Sequence, residues 1–189
     1  MELPFAPFIL KTLLLSLLNI TANANYGCAA TPAANQFSDI CPKTKYPDVC
    51  FYFLNRDPRT CRASSLPELG LGILHVSIQT AEHRAVTYNT LSKMIGINRR
   101  LKRKYLWCRD NYKLARRLAV QAKSKVKRNE YAEARKRLEA ACEVPISCQK
   151  EVGVGEPAAP EKEPNEITYA FFEFALVVVK ELEVRTKTV

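Results

Sequence analysis

The chain has 189 residues and carries a net charge of +10, with 29 Lys and Arg against 19 Asp and Glu. That length leaves room for one domain of ordinary size rather than two. No stretch is apolar for long enough to cross a bilayer as a helix, which takes ~20 residues.

The first element is a leader. Leu13 to Ile20 is a mostly apolar run, preceded by Lys11 and followed by Ala22-Asn23-Ala24, a small-x-small cleavage pattern. Residues 1–24 therefore read as a signal peptide, and the protein is expected to be secreted to the extracellular space. Cleavage after Ala24 removes Glu2 and Lys11 together, so the mature chain keeps its +10. Residues 25–37 are small and polar and are expected to be a flexible leader to a single domain over 38–185.

Export gives the seven cysteines a meaning, because thiols oxidise outside the cytosol. They are Cys28, Cys41, Cys50, Cys61, Cys108, Cys142 and Cys148. Spacing alone does not decide pairing, and an odd count leaves one over in a monomer. Two pairs are attractive. Cys41 and Cys50 bracket a turn-forming stretch between 38–42 and 47–55, a candidate helical hairpin that ends at Arg56-Asp57-Pro58-Arg59. Cys108 and Cys148 would tie two distant helical segments together. Loop-closure entropy puts these bridges at ~2.7 and ~3.9 kcal/mol if unstrained. Cys28, Cys61 and Cys142 stay unassigned. No C-x-x-C pair or Cys/His spacing supports zinc.

Four longer segments with helical periodicity follow, and none alternates like a strand. The first opens on Ser65-Leu66-Pro67-Glu68, a capping box, and its apolar stripe runs Leu71, Leu74, Ile78, Ala81, Ala85, Tyr88, Leu91, Ile95 to a stop at Gly96. The second stripe is Leu101, Tyr105, Cys108, Tyr112, Ala115, Ala119, Ala122, Val126. The third starts at Asn129 as cap, continues Tyr131, Ala134, Leu138, Ala141, and ends before Pro145. Residues 152–165 are rich in Gly, Pro and Glu and read as a loop. The fourth runs from about Glu166 to Arg185 with Phe171, Phe174, Val178 and Leu182 inward. Phe172 and Val177 fall off that stripe, and Val177-Val178-Val179 is also good strand sequence, but no partner strand exists for it. Four amphipathic helices with short connections make an all-α antiparallel four-helix bundle, disulfide-stapled, with the hairpin at its N-terminus.

Charge is concentrated. Between Arg99 and Arg137 there are sixteen Lys and Arg against three acids, a net +13. The second helix is a basic rod with an apolar inner face, and that density points to an anionic partner. Catalytic chemistry is missing. His75 and His83 are eight apart on one helix, ~12 Å along the axis, too far to share a metal. No nucleophile elbow, metalloprotease helix, phosphate loop or dinucleotide fingerprint is present. Glu130, Glu133, Glu139 and Glu143 sit among Lys and Arg as surface pairs do. The chain is not expected to be an enzyme or to hold a cofactor or metal. A nucleic-acid partner is not expected either, since aromatics are not interleaved on the basic face.

Several motifs together resemble the plant invertase and pectin methylesterase inhibitor family. They are Cys41-x3-Lys45-Tyr46-Pro47-Asp48-x-Cys50, Leu54-x2-Asp57-Pro58-Arg59, Leu69-Gly70-Leu71-Gly72 and Leu106-x-Cys108-x3-Tyr112-x2-Ala115, then Tyr131-x2-Ala134, Ala140-Ala141 and Pro145-x2-Cys148. The resemblance spans Ser38 to Leu182 and is closest to the subgroup that includes tree-pollen allergens. It implies a four-helix bundle with a helical hairpin and the bridges Cys41–Cys50 and Cys108–Cys148. It also implies a secreted inhibitor that docks one-to-one on a pectin methylesterase or an acid invertase and occludes its active-site cleft. The family's invertase inhibitors present Pro-Lys-Phe at the start of the third helix, where this chain has Asn129, Glu130 and Tyr131; Lys127 and Arg128 are the neighbouring cations. Its methylesterase inhibitors carry Thr before the last family cysteine, where Ser147 stands here, and arginines replace several of their acidic contact positions. The candidate docking residues are Arg117, Lys127, Arg128, Tyr131, Arg135 and Ser147. The alternative is a basic module that binds pectin or another anionic surface without inhibiting anything.

Overall fold

The structure is a computed structural model that describes residues 37–153 and 162–187. The leader assigned to 1–24, most of the segment 25–37, and Cys28 lie outside the described residues. Phe37 belongs to the domain rather than to a flexible leader: with Ile40 it is sealed in the core, at 1% and 0% exposure.

From there the chain turns through a short 3-10 segment, Cys41–Lys43, and enters α1, Pro47–Leu54. The Thr44 hydroxyl closes the turn by donating to the Cys41 carbonyl at 2.8 Å. The Cys41–Cys50 disulfide staples the two arms, as expected for the hairpin. Helix α2, Pro58–Cys61, is one turn long and is capped by the Asp57 carboxylate, which accepts from the Arg59 N–H at 2.8 Å. The buried Thr60 hydroxyl donates back to the Leu54 carbonyl at 2.7 Å, holding α2 against the end of α1.

Helix α3, Leu66–Leu91, starts at Ser65, but its capping box is displaced by one residue. Ser65 Oγ accepts from the Glu68 N–H over a long 3.4 Å, while the Glu68 carboxylate accepts from the Ser64 N–H and hydroxyl at 2.8 and 2.7 Å. The stop expected at Gly96 comes earlier. Buried Ser92 caps the helix by donating to the Asn89 carbonyl at 2.7 Å, Ile95 is fully exposed, and Gly96 (φ 80°) serves only the connection to α4.

Helix α4, Arg99–Lys127, is capped by Asn98, whose side-chain oxygen accepts from the Leu101 N–H at 2.8 Å. Asn129 caps nothing at the start of the next helix. It sits at φ 59° and ends α4, where the Asn129 N–H reaches the Val126 carbonyl and the Glu130 N–H the Lys125 carbonyl, both at 3.0 Å. That is a Schellman closure with Asn in the position Gly usually holds. Helix α5, Tyr131–Gly153, does not stop before Pro145 but runs through it. Proline removes one backbone donor there, and burial of Val144, Pro145, Cys148 and Val152 against the neighbouring helices carries the turn past a penalty of about 3 kcal/mol. The loop expected over 152–165 is correspondingly shorter, since α6 spans Lys162–Lys187.

Helices α3 to α6 form a ring in which each packs on its two sequence or end neighbours, α3 closing against α6, so consecutive helices run antiparallel. Ala115, Ala119 and Ala122 on α4 and Ala134 and Ala141 on α5 are all at 0% exposure, small side chains on the buried faces of two helices that pack on each other. Gly70 lets α3 and α6 approach closely, because a Cβ there would stand 3.1 Å from Val178 Cγ1. The α4 and α5 stripes are buried as expected, apart from half-buried Leu101. The α3 stripe is turned by about one position: Ile73, Ser77 and Arg84 join the buried set while Leu71 and Ile78 are half-buried. Helix α6 buries Phe172 and Val179 as well as the expected four, since it meets α3 on one side, α5 on the other and α1 on a third.

Candidate docking interface

The α4–α5 turn brings three of the six candidate docking residues together. Lys127 and Arg128 are exposed at the end of α4, and Tyr131 opens α5. Tyr131 is not a protruding anchor, since it is 5% exposed and its hydroxyl donates to Asn129 Oδ1 at 2.7 Å. The Glu130 carboxylate, which interrupts the expected cationic end, is taken up by its neighbours: Lys125 binds one oxygen and Arg128 Nε lies 2.6 Å from the other. Those contacts, the Lys125 hydrogen bond first and the Arg128 charge with it, hold Glu130 below the usual carboxylate range. Lys127 makes no ion pair among the described residues.

One turn further along α5, Arg135 is committed to the fold. Its Nε lies 2.8 Å from Glu183 of α6 and its Nη1 3.0 Å from Glu139, so it braces α5 against α6 rather than reaching outward. Arg117 is exposed on the outer face of α4, about 15 Å up the helix from Lys127. Ser147 is half-buried near the other end of α5, about 24 Å from Tyr131. The six residues therefore do not make one patch: Lys127, Arg128 and Tyr131 share an end, and Arg117 and Ser147 lie apart from it.

The outer face of α4 departs from the expectation that no aromatic is interleaved with its basic residues. Trp107 is 44% exposed and lines an open cleft of about 590 Å³ with Arg100, Arg103, Lys104 and Glu151. Leu114 and Val120 are exposed further along the same helix. An aromatic is thus interleaved with the basic residues after all. The signal was available, because Trp107 falls between Tyr105 and Cys108 and off the inner stripe.

Behind this face lies a buried polar network that hydrophobic periodicity passes over. Asn165 of α6, at 1% exposure, is its hub. Its side-chain oxygen accepts from the Tyr112 hydroxyl at 2.7 Å and lies 3.1 Å from that of Tyr88, and its amide donates to Gln149 at 3.2 Å. Arg84, 4% exposed, stacks over the Tyr88 ring at 4.8 Å. Burial pushes both phenols well above their ordinary range. Against the network sit Cys108 and Cys148. The bridge expected between them is not formed: both are buried free thiols in hydrogen-bond contact, which with burial drives the Cys148 thiol far up. Cys142 is also a buried thiol, pushed up to about 12 by burial first and then by Glu173, and hence poorly reactive. Cys61 is disulfide-bonded.

Among the described residues no group of three metal-binding side chains comes together, and no helix is long and apolar enough to cross a membrane. His75 and His83 point to different surroundings, His75 half-buried beside Lys123 and His83 exposed.

Comparison with known proteins gives one family. The sequence profile of the plant invertase/pectin methylesterase inhibitor family matches residues 35–172. A mutant form of a pectin methylesterase inhibitor from Arabidopsis is similar in structure, with TM-score 0.69 at 20% identity over 77% of this chain and 95% of that one. A pectin methylesterase inhibitor from Arabidopsis thaliana gives TM-score 0.59 at 21% identity over 78% and 96%. No curated protein matches the sequence.

Proposed function

The chain belongs to the plant invertase/pectin methylesterase inhibitor family, and from that premise we propose that it is a secreted inhibitor docking one-to-one on a plant cell-wall enzyme, pectin methylesterase or acid invertase, to occlude its active-site cleft. Family membership is the observation that carries this reading. The similar Arabidopsis structures support the scaffold, a helical bundle.

The face favoured here is the outer side of α4 and its turn into α5. Of the cations there, Lys127 and Arg117 are exposed, whereas Arg128 is neutralised by Glu130 and Arg135 by Glu139 and Glu183. Lys127 is the cation best placed to meet a glycosidase carboxylate pair, which favours the invertase arm. Complementary charge on such a face speeds encounter and selects partners more than it adds affinity. Titration of the purified, oxidised protein against both enzymes tests the reading. Inhibition of one is expected at micromolar protein, weakened in Lys127→Glu and Arg117→Glu mainly through a slower on-rate. Two enzymes left fully active refute inhibition; inhibition unaffected by either substitution refutes this face.

A second reading rests on Trp107 with Arg100, Arg103 and Lys104. This end of α4 suits an anionic polysaccharide such as de-esterified pectin, with the indole stacking on sugar rings and the cations meeting carboxylates. Retention on polygalacturonate should then fall steeply with salt and drop in Trp107→Ala, and a flat salt response excludes it.

A further inference from the structure

The Asp57-Pro58-Arg59 and Leu69-Gly70-Leu71-Gly72 stretches take no part in the face described above, yet together they build a separate cleft. Helix α2 lies tight across the first half of α3 because position 72 has no side chain: a Cβ there would stand 3.1 Å from the Arg59 carbonyl oxygen and 3.2 Å from Thr60 Cγ2. That approach sets Arg59 and Arg62 beside His75, and Lys123 arrives from α4. The result is a cleft of about 310 Å³ whose polar wall is Arg59, Arg62, Glu68, His75 and Lys123.

The acidic groups at this wall are partly engaged elsewhere. The Asp57 carboxylate, next to it, takes the Arg59 N–H at 2.8 Å and the Arg59 guanidinium at 3.5 Å. Glu68 is turned to Ser64, accepting from its N–H and hydroxyl at 2.8 and 2.7 Å. His75 Nδ1 accepts from Lys123 Nζ at 3.4 Å, which leaves the imidazole proton on Nε2, an atom shielded from solvent and without a hydrogen-bond partner. Arg62, Lys123 and Lys127 make no ion pair among the described residues. The cleft therefore carries three cations, Arg59, Arg62 and Lys123, against the single carboxylate of Glu68 on its wall, and keeps a net positive charge. Its groups feel this: burial first, then Lys127 and Arg59, lower the Lys123 ammonium, and burial followed by Arg59 and Lys123 lowers His75.

We propose that the α2–α3–α4 cleft is an oxyanion-binding site, taking a phosphate, sulfate or carboxylate group between the Arg62 guanidinium and the Lys123 ammonium with Arg59 alongside. A bound oxyanion gives the Arg62 and Lys123 donors an acceptor and offsets the repulsion among the cations. Charge-assisted hydrogen bonds of this kind are the strong ones, and the arginine fork suits either a tetrahedral or a planar anion. The site adjoins the docking face, since Lys123 lies one turn before Lys127 on α4, but anion titration reads it with no enzyme present, so it stands or falls independently of the inhibitor reading.

The test is a titration of the full, oxidised protein at constant ionic strength with inorganic phosphate in one arm and galacturonate in the other. The His75 and His83 ring signals are followed by NMR, and the melting temperature is measured beside them. A saturable shift of His75 with His83 unmoved is expected, together with a raised melting temperature. Arg62→Ala and Lys123→Ala should each weaken binding about tenfold. Lys93→Ala removes the same charge beyond the far end of α3, about 27 Å along from His75, and should leave it unchanged. Tighter phosphate binding marks a free inorganic ion as the ligand; tighter galacturonate binding marks the carboxylate of an acidic saccharide. No saturation by either anion overturns the site. So does equal weakening by Lys93→Ala, which would mean a diffuse field rather than a cleft. Arg62 is exposed, so a failure of that variant to bind is not a failure to fold.

Discussion

Replacing Asn165 by Leu should be among the most damaging single changes in the bundle. The side chains are close in volume, so the cavity contribution is small and the loss is polar. In the native structure the Asn165 side chain lies 2.7 Å from the Tyr112 hydroxyl and 2.9 Å from the Tyr88 hydroxyl, and both tyrosines are at 0% exposure. Leucine offers neither hydroxyl a partner, and each buried unpaired group costs ~1–3 kcal/mol. Two of them give ~2–6 kcal/mol, against a typical total stability of ~5–15 kcal/mol. For a domain of this size ~3 kcal/mol corresponds to a melting point lower by ~6–12 °C. The assay is urea unfolding followed by circular dichroism. The control that isolates the mechanism is the triple variant Asn165→Leu/Tyr88→Phe/Tyr112→Phe, which removes the orphaned hydroxyls and should recover a large part of the loss. A cost under about 1 kcal/mol, or no recovery in the triple variant, would refute the claim that this network is satisfied through Asn165.

Oxidation of the adjacent Cys108 and Cys148 thiols should add up to ~3.9 kcal/mol from loop closure. Cys108→Ser then lowers the melting point of oxidised protein but not of reduced protein, and equal effects in both would show that no bridge forms. Gly72→Val should loosen α2 from α3, because its Cβ alone meets the Arg59 carbonyl at 3.1 Å. Faster proteolysis at Arg59 and Arg62 with the bundle intact is the expected readout, and unchanged cleavage contradicts it. Glu173 carries a pH dependence. Burial raises its carboxyl above the usual range despite acceptance from the Lys45 N–H at 3.1 Å, so the folded state holds the proton more tightly than the unfolded chain. Its contribution is therefore present below its unfolded pKa and is lost as pH rises through the folded value. Glu173→Gln should accordingly be more stable than the parent at neutral pH and converge with it under acid, as thermal melts across pH will show.

The amino-acid pattern was read best where one physical demand acts alone. Helix α4 has one continuous apolar face and mostly charged residues elsewhere, so its period is legible residue by residue, and the hairpin is legible because Cys41 and Cys50 bracket a turn. It was read worst where several demands meet. Helix α6 is packed from three sides, which blurs a single stripe and makes Phe172 and Val179 look misplaced. Pro145 signals a helix end locally, and only burial against two neighbours overrides it. Asn129 suits an N-cap by identity, but its φ of 59° belongs to the end of the preceding helix.

The candidate site divides in the same way. Lys127, Arg117 and the charge of α4 were visible as sequence, whereas the neutralisation of Arg128 and the bracing role of Arg135 depend on carboxylates supplied across turns and helices. The exposure of Trp107 needed only its place off the stripe. His75, Arg59, Arg62 and Lys123 share a cleft only because a missing side chain at position 72 lets two helices touch.

By itself, then, the sequence determined the all-helical architecture, the stapled hairpin, the basic character of α4 and the family, because periodicity, turn chemistry, spacing and composition act over a few residues at a time. Only the tertiary structure decided which cations stay unpaired, which polar groups form the core network around Asn165, and where α2 meets α3. Those outcomes depend on partners far apart in the chain and on distances of a few ångströms between them, which no local pattern encodes.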